Sequence, residues 1–219
     1  MPAKNNREYR EMILEVVLDQ DRPDEDREER KLVAGYASTF NEPYVLYEDE
    51  DLVYREQVDR RAFDETDMSD VIMQYNHEGR VFARITNNTL RVTPDDRGLF
   101  IEADLGGTEL GRELYDEIRG GYTDKMSFGF IVSRDEELRT TADDGRVDVL
   151  RTITGISKLF DVSAVSIPAN NGTSIGVQTR SRIDGVIEEV RAERLEAAKL
   201  ELERRRAEVK ARALLGGNN

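Results

Sequence analysis

The chain has 219 residues, 38% apolar and 36% charged, with no tryptophan, which suits one ordinary domain with an appendage and a heavily ionised surface. A formal charge of −14 opposes binding to phosphate backbones, and the absence of cysteine removes disulfides, thiol nucleophiles and cysteine-ligated metals. No apolar run approaches the roughly 20 residues that cross a bilayer, and the opening MPAKNNREYREM lacks the apolar stretch of a signal peptide, so neither membrane insertion nor export is expected.

Residues 12–18 and 31–40 are apolar, β-branched runs that predict two strands. Between them DQDRPDEDREER has nothing to bury and lacks the glycine and ligand spacing of a calcium loop, so it reads as a solvated connection. A short strand over 52–57, a helix over 59–65 and a strand over 71–75 follow, which places His77 at a strand end. Strands over 90–93 and 99–105 flank Pro94-Asp95-Asp96-Arg97-Gly98, whose Pro, Asp and Gly are turn formers, and predict a hairpin. Thr108 is placed to cap a helix over 109–119, with Leu110, Leu114, Tyr115 and Ile118 on one face and Gly120-Gly121 as its stop. Three further strands are expected over 125–133, 147–156 and 159–167. The fold class is therefore α+β, mainly an antiparallel β-barrel or half-barrel with flanking helices.

From 183 to 215 the sequence turns to Glu, Arg, Ala and Leu without proline, which predicts one long C-terminal helix. The organisation read from this is a body over 1–175, a linker over 176–182 and a helical tail over 183–219. Leu195, Ala198, Leu202, Val209 and Ala213 form a narrow stripe, with Ile183, Ile187 and Val190 as a second stripe out of register with it. Such a stripe suits a reversible coiled-coil contact, to a second copy or to an assembly partner; a solvated helix with no partner is the other reading.

His77 is the only histidine, so any imidazole-dependent chemistry passes through it. A lone histidine without cysteine cannot supply the two or three nitrogen or sulfur ligands of catalytic zinc, so no metal and no cofactor is expected. There is no Gly-x-Ser-x-Gly elbow, and the Walker-like spacing of Gly106 and Gly111 is followed by Arg112-Glu113 where Lys and Ser or Thr would hold phosphate and magnesium. Ser127, in Lys125-Met126-Ser127-Phe128-Gly129-Phe130, is a small residue set on a strand between bulky neighbours, a pattern that serves packing as well as nucleophilic chemistry.

Three segments in order carry more. Met73-Gln74-Tyr75-Asn76-His77-Glu78, Gly121-Tyr122 through Met126-Ser127-Phe128-Gly129-Phe130, and Phe160-Asp161-Val162-Ser163-Ala164-Val165-Ser166-Ile167-Pro168-Ala169 together closely resemble the caudovirus prohead protease family. Arg61-Ala62-Phe63-Asp64 and Gly98-Leu99-Phe100 add to the resemblance, which covers about residues 12–176. It implies a fold akin to the herpesvirus assemblins and a serine endopeptidase held inside the procapsid in the host bacterial cytoplasm. Its substrates would be scaffold protein and extensions of the major capsid protein. Carried over residue by residue, it makes Ser127 the nucleophile, His77 the general base and Asp161 the third member, where the phage pattern usually has Glu. Asp is one methylene shorter, so a closer backbone or a water must supply the reach, and Asp148 and Glu113 stay open as substitutes. Asn170, Asn171 and Gly172, in the turn after the third-member strand, are candidates for the oxyanion hole, with an ordinary turn as the competing reading. The resemblance also implies self-trimming, for which residues 176–184 are a candidate cut site.

Two other functions fit the composition: a non-enzymatic capsid-assembly protein that works through its helical tail, and an unrelated acidic binding module. One distance separates them from the peptidase. Ser127 hydroxyl and His77 imidazole should lie within about 2.6–3.2 Å in an enzyme, and a separation beyond about 8 Å favours a structural role.

Overall fold

The computed structural model describes residues 7–13, 30–165 and 177–215. In chain order the elements are β1 (Glu8–Ile13), β2 (Leu32–Thr39), β3 (Tyr44–Glu48), β4 (Leu52–Val58), β5 (Ile72–Tyr75), β6 (Glu78–Arg84), β7 (Leu90–Pro94), β8 (Gly98–Asp104), α1 (Glu109–Arg119), β9 (Lys125–Thr141), β10 (Val147–Val165) and α2 (Val177–Leu215). One sheet runs β1-β9-β10-β4-β3, with β5 also on β10 and β6 on β5; β2-β8-β7 form a second sheet. The class is α+β as expected, and the sheets do not close into a full barrel. No described helix is long and apolar enough to cross a membrane.

The two long strands organise the molecule. β9 pairs antiparallel with β10 along nearly its whole length. The other edge of β10 is shared: Val147–Ile153 runs parallel to β4, and Asp161–Ala164 runs parallel to β5. Register shifts between Ile153 and Asp161 separate those halves, and this bulged stretch is what reads in the sequence as a break between two strands. The strand expected over 125–133 continues to Thr141, because its polar second half is held by pairing with β10 rather than by an apolar pattern. β6, which opens on Glu78-Gly79-Arg80, lacked a sequence signal for the same reason, whereas β3, Tyr44-Val45-Leu46-Tyr47-Glu48, carries a strand signal that the sequence reading passed over. The strand expected over 12–18 begins at Glu8, and its residues 14–18 lie outside the described part, as does the acidic connection to 29.

The helix expected over 59–65 is instead a series of turns, with Ala62, Asp64 and Thr66 amides donating to the carbonyls of Asp59, Arg61 and Phe63. Seven residues are few for a helical nucleus, and the Asp59 carboxylate accepts from the Arg61 amide at 2.8 Å, which favours a turn. These turns still deliver Ala62 and Phe63 to the core. That core joins both sheets through Met73, Leu99, Ile101, Met126, Phe128 and Phe130, and α1 closes it with Leu114 and Ile118. Thr108 caps α1 as expected, its hydroxyl accepting from the Gly111 amide at 3.0 Å, while Leu110 stays exposed.

α2 begins at Val177 and its early turns pack on the body. Ile183 and Val190, from the upstream stripe, are buried against Leu46, Leu52, Tyr54, Val147 and Val149. Arg194 pairs with Asp51, and Arg139 with Glu193 at 2.6 Å. Beyond this, Leu195, Leu200, Leu202 and Val209 are exposed.

A buried ionic cluster ties β1, β4, β10 and α2 together. Arg10 donates to Glu8 at 2.6 Å and to Glu56 at 2.8 Å, and Arg151 donates to Glu56 at 2.7 Å and to Glu8 at 3.0 Å. Tyr44 donates to Glu56 at 2.6 Å, and Arg151 reaches Asp135, which also pairs with Arg182 of α2. Burial by itself would weaken the hold of Arg10 on its proton, but Glu56 outweighs it and lifts the guanidinium well above its ordinary value. Burial, reinforced by Glu56, pushes the Tyr44 phenol up.

Candidate active site

His77 owes its position to a tight turn. β5 and β6 are antiparallel neighbours joined by the two residues Asn76-His77, with Tyr75 opposite Glu78. Both loop residues have positive φ, 52° and 60°, the backbone of a primed hairpin turn. Asn is a favoured occupant of that conformation, but His in place of the usual Gly costs on the order of 1 kcal/mol or more, strain of the kind that clusters at functional positions. The turn is pinned to β10 by the Asn76 amide, which donates to the Ala164 carbonyl at 2.9 Å.

Register supplies the other two groups. Across the β9–β10 ladder Ser127 faces Ser163 and Gly129 faces Asp161. Side chains alternate along a strand, so these four positions share a face, opposite the one on which Met126, Phe128 and Phe130 enter the core. β5 lies along β10 with Ile72 beside Asp161 and Tyr75 beside Ala164, which brings the next turn over that face. The His77 Nε2 then lies 2.6 Å from the Ser127 Oγ, and its Nδ1 lies 2.5 Å from Asp161 Oδ1. A carboxylate only accepts, so Nδ1 carries the proton toward Asp161 and Nε2 is left to accept from the Ser127 hydroxyl. The Ser163 hydroxyl donates to the same Asp161 oxygen at 2.8 Å. Ser127 and Asp161 are 0% and 1% exposed, and the His77 side chain is 17% exposed.

The direct 2.5 Å contact needs no bridging water. Space for the short carboxylate comes from Gly129: a Cβ there would stand 2.4 Å from Asp161 Oδ2. The two alternatives for the acid lie elsewhere. Asp148 is engaged by Arg55 at 2.8 and 3.1 Å near the far end of β10, and Glu113 is exposed on α1. Asn170, Asn171 and Gly172 lie outside the described residues. Sequence reasoning missed Gly129 and Ser163, although both follow from reading the β9 and β10 segments at period two, and it missed Arg7 and Tyr9 of the first strand, which sit against Asp161 and His77.

A hydroxyl, an imidazole and a buried carboxylate in one hydrogen-bonded chain are the arrangement of a serine hydrolase, carried here on an α+β fold of two sheets. The sequence profile of the caudovirus prohead serine proteases matches residues 18–185, well over half of the chain, and the chain belongs to that family. Among solved structures it is similar to the bacteriophage T4 capsid assembly protease, gp21, at 13% sequence identity and a TM-score of 0.36, covering 74% of this chain and 99% of that one. No curated protein matches it.

Proposed function

We propose that this chain is the serine endopeptidase that cleaves scaffold protein and capsid-protein extensions during procapsid maturation, with Ser127 as nucleophile, His77 as general base and Asp161 as the orienting acid. The observation that carries this reading is the continuous contact from Ser127 through His77 to Asp161, at 2.6 and 2.5 Å. Family membership supports the peptidase class and the setting in capsid maturation.

The chemistry follows from which atoms hold protons. As the Ser127 oxygen attacks a peptide carbonyl carbon, its proton passes to His77 Nε2, and the new imidazolium is stabilised by Asp161 at Nδ1. The imidazolium then protonates the departing amine, leaving an acyl group on Ser127. Water, deprotonated by the same nitrogen, attacks that ester, and Ser127 regains its proton as the acid product leaves. Ser163 donates to Asp161 Oδ1 and so keeps that oxygen an acceptor aimed at the imidazole. Because Ser127 is fully buried, the groups packed over it have to move aside before a peptide carbonyl can reach its hydroxyl.

The test is to incubate the full chain with the capsid-protein precursor of its own phage and follow that precursor by mass. Shortening by the native chain, with none from Ser127→Ala or His77→Ala, supports the reading, since loss of nucleophile or base typically costs about 10⁶ in rate. Cleavage by either variant at the native rate would overturn it.

A further inference from the structure

The first strand presents two different faces. Glu8 and Arg10 enter the buried ionic cluster, while the alternate positions, Arg7 just before the strand and Tyr9 within it, come to the triad. Tyr9 pairs with Gly129 in the β1–β9 ladder, and its ring centroid lies 4.3 Å from that of His77. The Arg7 guanidinium lies 3.7 Å from the centre of the Phe160 ring and 3.6 Å from Asp161 Oδ2.

The two carboxylate oxygens of Asp161 are treated unequally. Oδ1 accepts from His77 and from Ser163, whereas Oδ2 is buried and has no hydrogen-bond partner among the described residues. A buried carboxylate oxygen with no donor among the described residues leaves the group free to rotate, and rotation would spoil Asp161 as the acceptor for Nδ1–H. The charge that faces Oδ2 is Arg7, and it is held in place from three sides: the Phe160 ring, the Glu8↔Phe130 and Tyr9↔Gly129 pairings, and the cluster that fixes Glu8 and Arg10.

We propose that Arg7 is a positioning residue of this peptidase: its positive charge at Oδ2 holds the Asp161 carboxylate turned so that Oδ1 meets the imidazole. The inference rests on the triad reading above. It makes the N-terminal strand part of the catalytic apparatus, although Arg7 touches neither Ser127 nor the scissile bond.

The experiment measures kcat and KM for hydrolysis of a peptide that spans the processing site of the capsid precursor, using full-length native chain, Arg7→Gln and Arg7→Lys. Each is also made in the Asp161→Asn background. Arg7→Gln should lower kcat at least about tenfold with KM unchanged, the lower limit set by one unit-charge contact at this distance if water screened it fully. Arg7→Lys, which keeps the charge, should recover most of the loss. With Asp161 replaced by Asn the carboxylate charge is gone, so Arg7→Gln should add nothing further. An unchanged kcat in Arg7→Gln overturns the proposal. So does an Arg7→Lys as impaired as Arg7→Gln, or the same tenfold loss in the Asp161→Asn background, because each points to packing rather than to charge on Asp161. A native chain that does not hydrolyse the peptide overturns the peptidase reading itself, and Arg7's role with it.

Discussion

Replacing Gly129 by Ala adds a single methyl group at the most crowded point of the site. Its Cβ would stand 2.4 Å from Asp161 Oδ2 and 3.0 Å from Tyr9 Cε1. Ordinary contact needs about 3.4 Å or more, so the carboxylate has to retreat by about 1 Å or rotate, and its 2.5 Å bond to His77 Nδ1 is the contact that suffers. A misplacement of about 1 Å in a catalytic constellation can cost on the order of 10²-fold. Stability changes little by comparison. Gly to Ala in a strand interior gains about 0.5–1 kcal/mol, while overpacking loses about 1–3 kcal/mol, so a net loss of up to about 2.5 kcal/mol leaves the protein folded. The assay is steady-state peptide hydrolysis beside a thermal melt of the same preparation. Gly129→Ala should stay folded, melting no more than about 10 °C below the native chain, with kcat down about 100-fold, and should cost nothing more once Asp161 is already Asn. Native kcat in a folded Gly129→Ala protein would refute the claim that Asp161 works by direct contact with His77.

Three further outcomes follow from the packing. Glu56→Leu leaves Arg10 and Arg151 buried without their shared carboxylate and should cost about 3–5 kcal/mol, read as a drop in melting temperature of roughly 6–20 °C; a drop of less than about 2 °C would mean the cluster is dispensable. Burial alone would raise Asp135, but its bonds to Arg182 and Arg151 hold it below the ordinary carboxylate range, so its contribution is present above pH ~4 and is lost as pH falls through the lowered value. Amide protection around Arg182, taken relative to the intrinsic exchange rate at each pH, should therefore fall at acid pH in the native chain, and Asp135→Asn should show lowered protection already at neutral pH. Ending the chain after Arg194 removes turns of α2 whose described side chains are exposed and should preserve both melt and hydrolysis, whereas ending it before Ile183 uncovers Leu52, Tyr54 and Val149 and should cost about 3–6 kcal/mol for Ile183 and Val190 alone. A stable, active chain cut before Ile183 would show that the helix contributes nothing to the body.

Much of the site was legible because its parts are rare or closely spaced. A single histidine left one candidate base, and the quoted segments around Ser127 and Asp161 carried a family resemblance that no periodicity could supply. What escaped depended on pairing. β6 opens with Glu78-Gly79-Arg80, which has no apolar alternation, so the hairpin that aims His77 was read only as a strand end. β10 looked like two strands because the polar pair Ser157-Lys158 interrupts the apolar pattern, although the backbone runs on through bulges. The first strand was missed at its start because its inward residues are Glu8 and Arg10, and in a chain so rich in charge nothing marks those two as buried before Glu56 and Arg151 are brought beside them. The stripe from Leu195 to Val209, read as a coiled-coil contact or as a solvated helix, is exposed in the single chain, whereas the docking of Ile183 and Val190 needed the surface made by β4 and β10 to be seen.

The central claim is that Ser127, activated by His77, is the nucleophile, and covalent labelling tests it without any assumption about substrate. The full chain is treated with a fluorophosphonate, which reacts with an activated serine hydroxyl, and the adduct is mapped by tandem mass spectrometry. The account predicts one adduct, on Ser127, that is absent in His77→Ala. An adduct on another of the serines, or equal labelling of Ser127 in native and His77→Ala protein, would contradict it.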